Sequence, residues 1–125
     1  MSAGVFVLVA LAGGVGAWCR FRLDSLVRAR VRGTIPLGTL IINVTGSIAL
    51  GLLVGWAGRH AGASDVRFVL GVGLLGGYTT FSTAAVEFAT LVREGRWSGA
   101  ALLGVAMVVL GLLAAASGLV LGALL

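Results

Sequence analysis

Four long apolar segments, separated by three short polar loops, make up almost the whole chain. The segments run from about Ala3 to Cys19, from about Ile35 to Gly58, from about Val66 to Val92 and from about Trp97 to Leu124. A helix that crosses the hydrocarbon core of a bilayer needs about 20 mostly apolar residues. Irregular backbone does not face lipid, because its polar groups would lack partners there. The pattern therefore predicts an all-α membrane protein with four transmembrane helices.

The composition supports this prediction and excludes two other classes of protein. Of the 125 residues, 59% are hydrophobic and only 10% are charged, and the mean hydropathy is +1.13. A soluble domain carries about 25% charged residues, and disordered chains are polar and rich in charge. We expect residues 1–125 to form a single four-span unit. Four helices enclose little space, so we expect any transport pathway to need a second subunit.

The basic residues are unevenly distributed between the loops. All nine are arginines, against four acidic residues, and the formal net charge is +5. The first and third loops face the same side of a four-span protein and carry seven arginines: Arg20, Arg22, Arg28, Arg30, Arg32, Arg93 and Arg96. The second loop carries only Arg59 and Arg67. Because arginine is enriched in cytoplasmic loops, we expect loops one and three in the cytoplasm and both termini outside.

Glycine is abundant and partly patterned. Three Gly-x-x-x-Gly motifs begin at Gly51, Gly73 and Gly118, and such motifs favour close packing of helices. Gly76 and Gly77 differ from these, because the hydroxyl-rich run YTTFST follows them in the middle of the third segment. Glycine and β-branched residues are poor helix formers. A broken span is tolerated only where it is buried in protein or lines a cavity, so this run predicts a functional break.

The second segment carries a polar stripe. Thr39, Asn43 and Ser47 are spaced four residues apart and therefore share one helix face. The Asn43 amide has two donor hydrogens and two acceptor sites that hydrocarbon does not satisfy. It either forms a hydrogen bond that locks the bundle or lines a pathway, and the neighbouring break favours the pathway. Glu87, near the end of the third segment, is either a vestibule charge or a loop residue that reaches water.

Several motifs together resemble one known family. The run at residues 76–83 looks like the GGxTTFST signature of the CrcB/Fluc fluoride channels. Further similarities are Gly13-Gly14-x-Gly16-Ala17-x-x-Arg20 in the first segment and Pro36-Leu37-Gly38-Thr39-Leu40-x-x-Asn43 in the second. Glu87 and the loop Glu94-Gly95-Arg96 also fit the family. The resemblance covers nearly the whole chain, in order and at family length.

The resemblance implies an architecture and a function. Members of this family are antiparallel dimers of four-helix subunits with two narrow pores, and they export fluoride passively and so lower its cytoplasmic concentration. The third helix is broken at mid-membrane, and a structural sodium ion lies on the dimer axis. Carried over to this chain, the sodium ligands are the carbonyl oxygens of Gly76 and Thr79 of each subunit. The expected location is the bacterial cell membrane (inner or plasma membrane), which the chain would cross several times.

The resemblance also implies an anion pathway. Fluoride is strongly hydrated, so a pore must replace its water with hydrogen-bond donors, and the positive edge of an aromatic ring is a weak substitute. Loose binding is useful because conduction requires release. The implied pathway residues are Thr39, Asn43, Phe81 and Ser82, with Arg20 and Glu87 in the vestibule. Arg20 also fits a loop charge that sets the orientation of the protein in the membrane, and this role is compatible with a place in the vestibule.

The chain departs from the family pattern at several positions. Ala84 stands where the family has a second phenylalanine, and Gly104, Val108 and Leu112 stand where the fourth helix usually carries polar or tyrosine side chains. Self-dimerising members have little loop charge bias, whereas the bias here is strong. We therefore hypothesise one half of a heterodimer, whose partner inserts in the opposite orientation and supplies the missing groups.

Two other functions compete with the channel. A small multidrug exporter is also four-span and dimeric, but it needs an acid within the first helix, and Ala3–Cys19 contains none. A non-conducting assembly or regulatory subunit with the channel fold stays open because of Ala84 and the apolar fourth segment. The chain offers no nucleophile–base pair or metal-binding cluster, so we do not expect an enzyme. So hydrophobic a chain has no soluble basic face for nucleic acid.

Overall fold

The computed structural model of the protein describes residues 2–31, 33 and 35–125. This part of the chain is helical and contains no strand. The helices are α1 (Ala3–Arg30), α2 (Leu37–Ala57), α3 (residues 64–78), α4 (Phe81–Arg93) and α5 (Trp97–Gly122). Four spans are long and apolar enough to cross a membrane: α1, α2, the pair α3–α4 and α5. The predictions of an all-α protein and of four spans are confirmed.

Helix α1 continues well past Cys19, where the first apolar segment was predicted to end. Its 28 residues correspond to a length of about 42 Å, more than the roughly 30 Å of the hydrocarbon core. Hydropathy marks where apolar residues stop, whereas helical hydrogen bonding continues through Arg, Leu and Ala, which are good helix formers. Four of the arginines assigned to the first loop therefore lie on α1, namely Arg20, Arg22, Arg28 and Arg30. Arg32 lies outside the described residues.

The third span consists of two helices joined at an irregular step. Helix α3 is π-helical over Arg67–Leu75 and ends at Tyr78. Thr79 and Thr80 both have extended backbone angles, with ψ values of 159° and 121°. Helix α4 starts at the next residue, and Thr80 caps it because its hydroxyl accepts a hydrogen bond from Thr83 N at 3.2 Å. Threonine is a good N-cap residue, so the TTFST run starts a new helix within the span.

Helices α2 and α5 pack through glycines. A methyl group added to Gly51 would meet Ala115 O on α5, and one added to Gly118 would meet Ile48 O on α2. Gly55 and Gly122, one turn further along each helix, are equally close to the opposite backbone. The close packing predicted from these motifs is confirmed for this pair of helices. Dispersion between closely approaching backbones is a main source of helix association in lipid.

Helix α1 packs on α3 in the same way. A methyl group added to Gly16 would meet Leu74 O, and one added to Gly77 would meet Gly13 O. The opposite face of α1 is exposed and apolar, as residues such as Phe6, Leu11 and Trp18 illustrate. This exposed face suits lipid. Short loops join consecutive spans, so neighbouring spans run antiparallel. The end of α1 therefore lies near the start of α2, and the end of α4 lies near the start of α5.

Candidate functional site at the break in the third span

The amide of Asn43 makes a two-point bridge to the irregular step. Its Nδ2 donates a hydrogen bond to Thr80 O at 2.9 Å, and its Oδ1 accepts one from Thr80 N at 2.9 Å. In an unbroken helix, Thr80 N would instead donate to Gly76 O four residues earlier. Asn43 therefore supplies the partners that the backbone loses where the span is interrupted, and it ties α2 to the step.

Two backbone carbonyls lose their helical donors at this step. Thr80 N donates to Asn43 and so leaves Gly76 O without its usual donor. Thr83 N donates to the hydroxyl of Thr80 and so leaves Thr79 O without its usual donor. Free carbonyl oxygens are suitable ligands for a hard cation. These are the two carbonyls that the sequence resemblance assigned to sodium, and their chemistry fits that ion. The described residues contain no cluster of three His, Cys, Asp or Glu side chains that could hold a metal.

A surface cavity of about 310 Å³ opens beside the step. Asn43, Ser47, Thr80 and Phe81 are among its lining residues. The Phe81 ring is 88% exposed and therefore points away from the bundle of its own chain. Two of the four residues predicted for the anion pathway, Asn43 and Phe81, meet in this cavity.

The other two predicted pathway residues lie elsewhere. Ser82 is exposed, and its hydroxyl contacts the hydroxyl of Thr80 at 3.3 Å. Thr39 is only 1% exposed and lines a second cavity of about 240 Å³, which we call the inner cavity. Thr80 lines both the surface cavity and the inner cavity, so the irregular step lies between the two.

Arg20 projects into the inner cavity. Its Nε is buried and has no hydrogen-bond partner among the described residues. Asp24, Thr80 and Thr83 line the same cavity. A buried guanidinium N–H without a partner, beside hydroxyl groups, favours a nearby anion. Helix α1 places Arg20 here because it continues beyond the apolar segment.

Glu87 lies at one end of a larger polar network. Its Oε1 accepts hydrogen bonds from Thr39 Oγ1 at 2.9 Å and from Arg28 Nη2 at 3.2 Å. Arg28 Nε also donates to Asp24 Oδ2 at 2.8 Å. Glu87, Arg28 and Asp24 line a cavity of about 490 Å³ at the end of the bundle, which we call the outer cavity. The two residues predicted for the vestibule, Arg20 and Glu87, therefore line different cavities, and Asp24 lines both.

Asp24 and Arg28 belong to this network but were not among the predicted site residues. The apolar pattern ends at Cys19, which predicts that both residues lie in the first loop. Their spacing of four residues was the available signal, since an acid four residues before an arginine is typical of an ion pair on a helix. That signal becomes informative only once α1 is known to extend to Arg30.

A comparison with protein-family models assigns the chain to a family. Residues 7–119 match the family described as CrcB-like protein, Camphor Resistance (CrcB). The chain belongs to the CrcB family. The resemblance inferred from the motifs is thus confirmed over nearly the whole length.

Curated relatives of this CrcB chain are similar along most of their length. It is 48% identical over 120 residues to the fluoride-specific ion channel FluC 1 of Leifsonia xyli subsp. xyli, which covers 96% of this chain and 88% of the relative. It is 50% identical over 116 residues to FluC 2 of Cutibacterium acnes, covering 91% and 94%. It is 44% identical over 113 residues to FluC of Novosphingobium aromaticivorans, covering 89% and 88%.

The fourth span of this CrcB chain presents an apolar surface. Val108 and Leu112 are 60% and 67% exposed, and Gly104 lies against the ring of Phe88. The positions at which the sequence departs from the family pattern are therefore on or near the surface of the bundle. Neither valine nor leucine at these positions offers a donor to an anion.

Proposed function

We propose that the chain is a subunit of a fluoride-specific ion channel, which lets fluoride leave the cytoplasm passively and so protects the cell from fluoride. The observation that carries this proposal is the similarity along nearly the whole chain to relatives named fluoride-specific ion channels. The arrangement of Asn43, Thr80 and Phe81 at the step supports it. No covalent chemistry is part of this function, so the protein is not an enzyme.

The chemistry of the step suits a small anion. Asn43 Nδ2 donates to Thr80 O, and its one other acceptor among the described residues is the Met107 thioether at 3.8 Å. A thioether is a weak acceptor, so fluoride can replace it at little cost. The edge of the Phe81 ring offers a second weakly positive partner. Fluoride is thereby held by donors strong enough to replace part of its water and weak enough to release it.

The proposal extends to the assembly. We infer an antiparallel heterodimer with two pores, in which a homologous subunit of opposite orientation covers the exposed Phe81 ring. Loops one and three of this chain then face the cytoplasm of the bacterial cell, because these loops and the adjoining ends of α1 and α4 carry seven of the nine arginines. The partner contributes the second phenylalanine that Ala84 replaces and the polar groups that are absent at Val108 and Leu112.

Fluoride efflux from liposomes tests both the activity and the assembly. We expect little flux from the chain reconstituted alone and robust flux when it is co-purified with a homologous subunit of opposite loop charge. Chloride efflux under the same conditions should stay at the background of empty liposomes. Robust flux from the chain alone would contradict the heterodimer. Absence of fluoride flux from both preparations would instead support a non-conducting role.

We also propose that a structural sodium ion links the two subunits at the step. The ligands would be Gly76 O and Thr79 O of each subunit, and the support is that both carbonyls lose their helical donors. The ion adds positive charge beside the anion pathway and is not transported. The sodium ligands contributed by this chain are backbone oxygens only. The hydrogen bonds of Asn43 with Thr80 and the N-cap formed by Thr80 hold the backbone in the required conformation.

Exchange of sodium for N-methylglucamine during purification tests this ion. A ligand at about 100 times its Kd stabilises the state that binds it by about 2.7 kcal/mol, so we expect the melting temperature of the dimer to fall by several degrees. Fluoride flux should fall in parallel, and both should recover when sodium is returned. Lithium and potassium at equal ionic strength serve as controls. Unchanged melting and flux after exhaustive exchange would contradict a sodium site.

A further inference from the structure

The outer cavity has an unfavourable charge for an anion. Its charged lining residues are Asp24, Arg28, Glu87, Glu94 and Arg96. Three carboxylates therefore face two guanidinium groups. Arg96 contacts Glu94 at 3.4 Å, whereas Arg28 contacts both Asp24 and Glu87. Arg28 is thus the cation closest to the two acids at the inner end of this cavity.

The two acids also mark the junction between the cavities. Glu87 lines the outer cavity, Thr39 lines the inner one, and their side chains are hydrogen-bonded to each other. Asp24 lines both cavities. One carboxylate oxygen of each acid, Glu87 Oε2 and Asp24 Oδ1, is buried and accepts no hydrogen bond from the described residues. A route from the outer cavity to Arg20 would therefore run past Asp24, which both cavities share, and past the hydrogen-bonded pair of Glu87 and Thr39.

Repulsion at such a junction is strong. Like charges a few ångströms apart interact far more strongly in partly buried surroundings than in bulk water. The side chain of Glu87 is only 13% exposed, so water screens it little. The side chain of Arg28 is 61% exposed and reaches from α1 to α4. It therefore holds Glu87 from the side of the outer cavity while Thr39 holds it from the inner side.

We propose that Arg28 is a positioning residue that neutralises Glu87 and Asp24 at the junction of the two cavities and so keeps this route open to an anion. The inference rests on the proposed function, because the anion is the fluoride that the channel conducts. The effect of Arg28 on the anion is indirect, because its positive charge offsets the negative charges of the two acids. Arg28 itself need not touch the ion.

Fluoride efflux from liposomes, with the assembly that conducts, tests this role. We expect Arg28→Gln to lower the flux about tenfold, because an anion then meets two uncompensated acids. Arg28→Lys, which keeps the charge, should retain most of the flux. The double variant Arg28→Gln with Glu87→Gln should recover flux to within about threefold of the wild type, because it removes one of the repelling charges. Arg30→Gln is the matched control, since Arg30 lies at the same end of α1 and has no ion pair among the described residues.

Rescue by Glu87→Gln separates an electrostatic role from a structural one. A variant that merely destabilises the fold would not regain flux when one of the acids is neutralised, and size-exclusion profiles check the fold directly. Flux of Arg28→Gln equal to that of Arg30→Gln, or no recovery on adding Glu87→Gln, would overturn the role of Arg28. Absence of flux in the wild type would overturn the proposed function as well.

Discussion

Replacing Asn43 by alanine is expected to lower fluoride flux by up to about 100-fold and to destabilise the protein. The change removes both hydrogen bonds to the backbone of Thr80. A buried donor or acceptor left without a partner costs about 1–3 kcal/mol, and membrane interiors contain no water to replace it. A loss of about 2.7 kcal/mol at the rate-limiting barrier corresponds to a 100-fold change in rate. Fluoride efflux and thermal unfolding of the purified assembly measure the two effects.

Ser47→Ala is the matched control for this prediction. Ser47 lies one turn from Asn43 on the same stripe and lines the same surface cavity. Its hydroxyl donates only to Asn43 O within its own helix, at 2.8 Å. We therefore expect a small effect on melting. If Asn43→Ala melted and conducted like Ser47→Ala, the bridge between Asn43 and Thr80 would have no role in holding the step.

The second large effect is expected from a single methyl group on α5. In Gly118→Ala the new methyl group would meet Ile48 O and Leu52 N, both of which belong to the backbone of α2. Overpacking costs about 1–3 kcal/mol when side chains can adjust, and backbone atoms adjust least. We expect a loss of about 3 kcal/mol and a clear fall in the yield of monodisperse protein. Size-exclusion chromatography after heating steps measures this loss.

Gly111→Ala is a control on the same helix. A methyl group at Gly111 would have only the hydroxyl oxygen of Ser47 nearby, at 3.9 Å. Since the two variants make the same chemical change with the same gain in helix propensity, the difference between them isolates the contact of α5 with α2. Equal yield and melting for both variants would mean that the close approach at Gly118 does not limit stability.

The candidate site was only partly predictable from the sequence. Glycines and hydroxyl-bearing residues in the middle of an apolar segment favour an irregular backbone, so the run at residues 76–83 stood out. An asparagine in a spanning helix must find partners, so Asn43 stood out as well. The identity of its partner, Thr80, was not readable. It depends on how far α2 is rotated and shifted along the third span, and no local pattern encodes that relation.

The network of Asp24, Arg28 and Glu87 was less predictable still. Apolar periodicity reports contact with lipid and stops at Cys19, whereas the helix continues to Arg30. Only when α1 extends beyond the apolar segment do these charges reach the start of α2 and the end of α4. The ion pairs join residues as far apart in sequence as Arg28 and Glu87.

The sequence by itself determined that this protein lies in a membrane, that it crosses it four times and that it belongs to the CrcB family. The first two properties depend on the free energy of transferring side chains into lipid, which adds up over neighbouring residues. Family membership depends on short motifs, which are read from the sequence directly. Only the tertiary structure decided which groups meet: Asn43 with the backbone of Thr80, Glu87 with Thr39 and Arg28, and Arg20 with the inner cavity. Such contacts depend on the rotation and depth of packed helices, and close approach at glycines sets both.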